Sequence, residues 1–327
     1  MSIIRTIAAV AALALASIGA TAHAQLVEVT GFGSNPGNLK MFQYVPPGLP
    51  ANAPLVVMMH GCAQGPDAVD VESGWIQMAD TYKFAMVFPQ TLFKEPGLLG
   101  QGGPCFRSYN SAHNRRGVGE TLSIKQMTDW MLANRAIDPK RVFVTGYSSG
   151  AVHTSVMMAA YPDVYAAGAI MEGHPYGCAT TYTEFASCNL LGKTRTPQAW
   201  ADLVRSAYPG YAGRYPRVSI WHGTSDIVIR ESNATELIKQ WTAVHGIDQT
   251  ADEYSVINGY PHAVYKDASG RALVEHYRLT FASHAIQVNT LGLYQPTCGT
   301  ASLLGIPTQS SNICEVYYAV KWFGIAE

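Results

Sequence analysis

Short unbroken apolar runs recur along this chain, separated by stretches with helical spacing. Leu55-Val56-Val57-Met58-Met59 and Phe84-Ala85-Met86-Val87-Phe88 have no polar position at all, and residues 141–145, 166–171 and 217–221 repeat the pattern. Runs of this length predict strands covered on both faces, since a half-exposed strand would alternate. Residues 39–45 read as a further strand, closed by Pro46-Pro47-Gly48, and Pro89 is expected to stop the run at 84–88. Helical periodicity occupies residues 67–82, 119–135 and 151–160, with Asp138-Pro139 marking a turn before the run at 141–145. Residues 91–114 are rich in Gly, Pro and polar side chains and read as a long loop. Between 173 and 216 the pattern weakens, and Tyr176, Tyr182, Phe185, Trp200, Tyr208 and Tyr211 indicate an aromatic-rich insertion crossing the sheet edge. The alternation predicts an α/β fold with a mostly parallel central sheet and helices on both faces. Ligands in such folds sit beyond the carboxyl ends of the strands, where His60, Ser148, Glu172 and His222 fall.

The first 24 residues stand apart. Arg5 supplies a short positive region, residues 7–16 an apolar one, and Ala22-His23-Ala24 a small-residue cleavage site, which together predict a secretory signal peptide. Residues 25–327 carry no linker, repeat or low-complexity tract and read as a single domain. The chain has 327 residues, 48% hydrophobic and 14% charged, with net charge −1. That balance gives no electrostatic footprint for nucleic acid or an anionic membrane, and no later segment is long and apolar enough to span a bilayer. Export changes the meaning of Cys62, Cys105, Cys178, Cys188, Cys298 and Cys314, an even set in an oxidising compartment. None shows C-x-x-C spacing, so structural disulfides are expected and neither a metal nor a cofactor is. Proximity along the chain favours Cys178–Cys188 and Cys298–Cys314, leaving Cys62 with Cys105. Asn233-Ala234-Thr235 forms a glycosylation sequon.

Candidate chemistry centres on Gly146-Tyr147-Ser148-Ser149-Gly150, which joins the run at 141–145 to the helical segment at 151–160. A G-x-S-x-G between strand and helix is the nucleophile elbow of α/β-hydrolases. Glycine is required where the turn is too sharp for a side chain, and the serine emerges at a helix start whose free N–H groups favour negative charge. Ser148 is therefore the candidate nucleophile. It needs a histidine to take its proton and an acid to orient that histidine, in the chain order serine, acid, histidine. Asp226 follows the strand at 217–221 directly, whereas Asp202, Asp248 and Asp252 have no buried strand before them. Four histidines lie downstream. His245 precedes Gly246 at a helix end and reads as a cationic cap; His276 lies within an alternating strand. His262 and His284 both occupy candidate loop positions, and spacing does not choose between them. The oxyanion donors expected are the backbone N–H groups of Ser149, after the nucleophile, and Cys62, in the turn after the strand at 55–59.

These residues resemble the polyhydroxybutyrate depolymerase family of esterases, which adjoins the feruloyl and acetylxylan esterases of carbohydrate esterase family 1. The likeness runs colinearly through PLVVMMHGCAQ (54–64), RVFVTGYSSGA (141–151), YPDVYAAGAIMEGHPYGCA (161–179), VSIWHGTSDIVI (218–229) and YKDASGRALVEHYRLTFASHAIQV (265–288). It implies an α/β-hydrolase fold and a secreted serine ester hydrolase acting through an acyl-enzyme. By resemblance the Asp267-to-Arg271 turn and the strand after it place the base on His284, although Phe281-Ala282-Ser283 replaces the family's glycine-rich approach. The tail, residues 298–325, resembles the family's end with its paired cysteines and supports Cys298–Cys314. The family's members cleave polyester, feruloyl or acetyl esters with the same triad; the resemblance over residues 173–188 favours a polyhydroxyalkanoate polyester or its oligomers, with feruloyl or acetyl esters of plant polysaccharide as the alternative. A non-catalytic polymer-binding protein is the rival class, opposed by the complete set of Ser148, Asp226, a histidine and two donor turns.

Overall fold

The computed structural model describes residues 26–326, apart from 67, 68, 70, 71, 96–102, 293, 295 and 304–306. The expected signal peptide lies outside the described residues. In chain order the described elements are β1 (Val27–Val29), β2 (Leu39–Tyr44), β3 (Ala53–Met59), α1 (Trp75–Tyr82), β4 (Ala85–Thr91), α2 (Gly119–Asn134), β5 (Ile137–Tyr147), α3 (Ser149–Ala160) and β6 (Ala167–Met171). There follow α4 (Tyr182–Leu191), α5 (Pro197–Ala207), β7 (Arg217–Gly223), α6 (Ser232–His245), β8 (Glu253–Ile257), β9 (Tyr260–Lys266), β10 (Ala272–Leu279), β11 (Ile286–Val288), β12 (Thr308–Ser310) and α7 (Glu315–Trp322).

Ten of the described strands form one sheet in the order β1-β2-β4-β3-β5-β6-β7-β10-β9-β8. The six strands from β4 to β10 in that order are mutually parallel, and antiparallel strands finish both edges. Alternation sends neighbouring residues to opposite faces. Leu55, Val57 and Met59 of β3 therefore join the core under α2, α3 and α6, beside Ile124, Met127, Val156 and Trp241. Val56 and Met58 join the opposite core with Trp75 and Ile76 of α1 and Val316 and Ala319 of α7. Two cores on one sheet explain the absence of polar positions in these strands. The aromatic-rich insertion supplies α4 and α5, and packs Phe185, Trp200 and the Cys178–Cys188 disulfide onto Val152 and Ile229. The other disulfides join Cys62 to Cys105 and Cys298 to Cys314.

Three local expectations are revised. The helix read at 67–82 is interrupted by a turn at 72–74, where Gly74 takes a left-handed conformation (φ 89°) before the helix Trp75–Tyr82; residues 67, 68, 70 and 71 lie outside the described residues. β4 runs through Pro89 instead of stopping there. Pairing of β3 with β4 ends at Val57↔Val87, so a proline two residues later costs that ladder no hydrogen bond. Asp138-Pro139 lies inside β5 as a register shift opposite Ala53 and Leu55, with Asp138 Oδ1 accepting from Lys140 N at 2.9 Å.

Candidate active site

The elbow is shaped by what its glycines leave out. A Cβ on Gly146 would stand 2.4 Å from the carbonyl carbon of Gly150, and one on Gly150 would stand 2.1 Å from the Met59 carbonyl oxygen. Backbone cannot yield to either, so Gly150→Ala would force β3 away from α3. Ser148 itself has φ 56° and ψ −119°, an outlier for a residue with a side chain. Its backbone is over-determined: Ser148 N donates to Met171 O at 3.0 Å, and Val152 N donates back to Ser148 O at 3.0 Å. The serine is held 9% exposed at the N-terminus of α3.

Ser148 Oγ lies 2.8 Å from His284 Nε2, and His284 Nδ1 lies 2.7 Å from Asp226 Oδ2. Asp226 stands in the loop after β7 and His284 in the loop after β10. Those two loops interlock: Ser225 N donates to Ala282 O at 2.9 Å, and a Cβ on Gly223 would sit 2.5 Å from the same oxygen. The free oxygen of Asp226, Oδ1, accepts from Val228 N at 2.8 Å and Ile229 N at 2.9 Å. Burial alone would raise the Asp226 carboxyl, but the bond from His284 and the nearby imidazoles outweigh it and hold the group below the usual aspartate value. His222 is fully buried beside it, with Nε2 3.6 Å from Asp226 Oδ2 and 2.7 Å from the Ile229 carbonyl it donates to. Burial lowers the His222 pKa and keeps its ring neutral.

Ser149 opens α3 one residue after Ser148, and Cys62 lies in the turn after β3. That turn touches the elbow directly, since the absent Cβ of Gly150 would also stand 2.7 Å from His60 O. Disulfide Cys62–Cys105 and the bond from Ala63 N to Pro104 O at 2.9 Å tie it to the long loop.

The other histidines go elsewhere. His262 lies within β9 rather than in a loop, with Nε2 2.9 Å from Glu275 Oε2 and Nδ1 3.1 Å from Ser255 Oγ. Its ring stacks on Tyr277, centroids 4.1 Å apart. His245 is not a cationic cap: it is bonded to Pro216 O at 3.0 Å, and burial lowers its pKa to about 4. The sequon residue Asn233 is fully buried, its amide donating to Cys188 O at 3.0 Å, which removes it from a glycosylating enzyme's reach.

One contributor escapes a reading by motif. Tyr147, inside the pentapeptide, donates its hydroxyl to the His284 carbonyl at 2.7 Å and so fastens the histidine loop to the elbow strand. An aromatic hydroxyl next to the serine was its one trace in the sequence. Glu172, after β6, is fully buried with φ 55° and neither carboxyl oxygen bonded. Burial, then the charges of Glu315 and Asp226, raise its pKa far above the ordinary value, so it stays protonated. Among the described residues no cluster of three or more His, Cys, Asp or Glu is arranged to hold a metal ion, and no helix is long and apolar enough to cross a membrane.

The chain as a whole is similar to known esterases. Residues 39–256 match the family model described as esterase PHB depolymerase. The chain is 47% identical over 300 residues to poly(3-hydroxyalkanoate) depolymerase C of Paucimonas lemoignei, covering 92% of this chain and 70% of that protein. It is 35% identical over 256 residues to feruloyl esterase B of Talaromyces funiculosus, covering 75% and 70%. An acetyl xylan esterase from Aspergillus awamori superposes with a TM-score of 0.75 at 28% identity, over 92% of this chain and all of that one. The α/β-hydrolase architecture, the matched family model and the span shared with these esterases together assign the chain: it belongs to the esterase PHB depolymerase family and is a carboxylic ester hydrolase.

Proposed function

We propose that this protein is a secreted serine esterase working through an acyl-enzyme on a polyhydroxyalkanoate polyester or its oligomers. The observation that carries this is the continuous hydrogen-bond chain from Ser148 Oγ through the His284 ring to Asp226, mounted on a strained elbow. Ser148 attacks the ester carbonyl as His284 Nε2 takes its proton, which then passes to the departing alcohol. Asp226 holds the Nδ1–H tautomer and balances the imidazolium. The N–H groups of Ser149 and Cys62 receive the oxyanion, and loss of either donor costs about 10²–10³ in rate. Water enters by the same route and frees the acid.

The polyester assignment leans on the 47% identity to the Paucimonas lemoignei enzyme and on the surface beside the site. Ile227 (74% exposed) and Phe281 (88% exposed) sit on the segments that carry Asp226 and His284, with Val228 and Leu191 exposed nearby. The segments adjoin, since Phe281 N donates to Thr224 Oγ1 and Arg230 N to Asn189 O, each at 2.8 Å. An apolar polyester gains from such contact more than a hydroxyl-rich polysaccharide does. The second reading, an acetyl or feruloyl esterase on plant polysaccharide, draws on the acetyl xylan esterase superposition. Three disulfides support export after removal of residues 1–24, since such bonds persist in oxidising compartments. The deciding experiment compares hydroxy acid release from polyhydroxybutyrate film with release of ferulate and acetate from substituted xylan, using Ser148→Ala as control. Activity on xylan without any on film would remove the polyester assignment.

A further inference from the structure

Between β7 and α6 the chain turns out to solvent at Ile227 and Val228 and comes back in at Ile229, which is buried. Ile229 is held at three points. Its N–H donates to Asp226 Oδ1 at 2.9 Å, its side chain belongs to the cluster of Val152, Phe185 and Trp200, and its carbonyl oxygen lies 2.7 Å from His222 Nε2. A carbonyl only accepts, so the His222 proton is on Nε2. The other ring nitrogen, Nδ1, is buried with no hydrogen-bond partner among the described residues. A buried ring with one bond unmade is a poor packing unit, since an apolar side chain would fill the space without that penalty. What the imidazole supplies and an apolar group cannot is the bond to Ile229 O. Nε2 also stands 3.6 Å from Asp226 Oδ2, the oxygen that engages His284 Nδ1 at 2.7 Å. Two imidazoles therefore meet one carboxylate oxygen. Burial keeps His222 neutral, which leaves the Asp226 charge to His284.

We propose that His222 is a positioning residue: its Nε2–H holds the Ile229 carbonyl, and the Ile229 N–H in turn holds the Asp226 carboxylate at the angle that presents Oδ2 to His284. This rests on the assignment of Asp226 as the acid of the proposed site. Loosening Ile229 removes one of the two amides that fasten Oδ1, and the carboxylate is then free to rotate against the His284 ring. Asp226 acts on the charge that develops on the histidine as the serine attacks, so its misplacement lowers kcat with little change in KM.

Three substitutions separate this role from packing. His222→Gln keeps an amide N–H where Nε2 stood, whereas His222→Asn places its amide where Nδ1 stood and His222→Leu has no donor. Steady-state kinetics on a soluble nitrophenyl ester should show kcat falling at least about tenfold in His222→Asn and His222→Leu with KM little changed, and most of that loss recovered in His222→Gln. Thermal unfolding identifies the variants that fold, and either loss variant suffices for the comparison. Placed on Asp226→Asn, the same substitutions should lower kcat by less than about twofold more, because the group they position is already gone. Equal losses in all three variants, a loss carried by KM, a further tenfold loss on Asp226→Asn, or failure of both loss variants to fold would overturn the role of His222. An Asp226→Asn variant with wild-type kcat would instead remove the underlying site assignment, whatever the His222 variants did.

Discussion

Two serine–histidine–carboxylate chains stand among the described residues, and they differ in everything except the contacts that define them. In one, His284 bridges Ser148 and Asp226 at 2.8 and 2.7 Å; in the other, His262 bridges Ser255 and Glu275 at 3.1 and 2.9 Å. The rings are reversed, Nε2 facing the serine in the first and the carboxylate in the second. Ser148 sits at a strained turn at the start of a helix, while Ser255 is an ordinary residue of edge strand β8. Glu275 is also engaged by Ser219 Oγ at 2.6 Å, which makes the second chain part of the fastening between β7, β9 and β10. The lesson is that a proton relay alone does not define a site. A nucleophile also needs donors aimed at the charge it creates, the part that the proposed mechanism gives to Ser149 and Cys62 beside Ser148.

The sharpest way to break this contrast is to remove the serines and histidines in parallel. Ser148→Ala and His284→Ala should each lower kcat on a nitrophenyl ester by about 10⁴-fold or more, while Ser255→Ala and His262→Ala leave it within about twofold. An inactive His262→Ala beside an active His284→Ala would reverse the assignment. The acids come next. Asp226→Asn should lower kcat by about 10⁴-fold, because the amide favours the wrong histidine tautomer. Glu275→Gln should leave kcat nearly intact and cost about 1–3 kcal/mol in denaturant unfolding, as buried partners of the carboxylate lose an acceptor.

A smaller effect concerns a histidine that burial keeps uncharged. Burial lowers His174 to about 4, against 6.5 for an exposed ring. As pH falls through that interval the unfolded chain takes up a proton that the folded chain refuses, so stability is complete above about 6.5 and declines toward about 4. The Tm difference between wild type and His174→Gln should therefore shrink across that range; a constant difference would show that the ring does not resist protonation. Smallest in the soluble assay is the surface change. Phe281→Ser combined with Ile227→Ser should reduce polyhydroxybutyrate film hydrolysis several-fold, by about 1–2 kcal/mol of lost apolar contact, while soluble ester turnover stays close to wild type. Equal losses on film and soluble ester would mean that these side chains shape the site itself.

Periodicity and turn chemistry carried much of this fold. The unbroken runs at 55–59 and 141–145 belong to central strands with a core on each face, which is why their reading survived contact with the structure. Pro89 and Asp138-Pro139 misled because a proline's cost depends on whether its missing N–H had a partner in the neighbouring strand, and one chain segment cannot reveal that. His262 and His284 could not be separated by spacing, since both follow candidate turn residues, whereas the structure puts His262 inside β9 and His284 in the loop after β10. The resemblance favoured His284 because it carried the order of whole strands. Tyr147 and His222 were readable as residue types, but their bonds to the carbonyls of His284 and Ile229 span or fold back on the chain in ways no linear pattern encodes.

The parallel pairing of β10 with β7 has a consequence that concerns tolerance rather than stability. Leu279 lies opposite Gly223, so the ladder sets how far each strand has advanced when its loop departs. A slip of two residues would keep every buried side chain of β10 on its own face, so the alternation of apolar positions does not by itself forbid it. Yet it would carry His284 about 6.6–6.8 Å along the sheet, well beyond a hydrogen bond to Ser148. Strand register thus works as a gauge block: the strand's alternation could accept the next notch, and proton transfer could not.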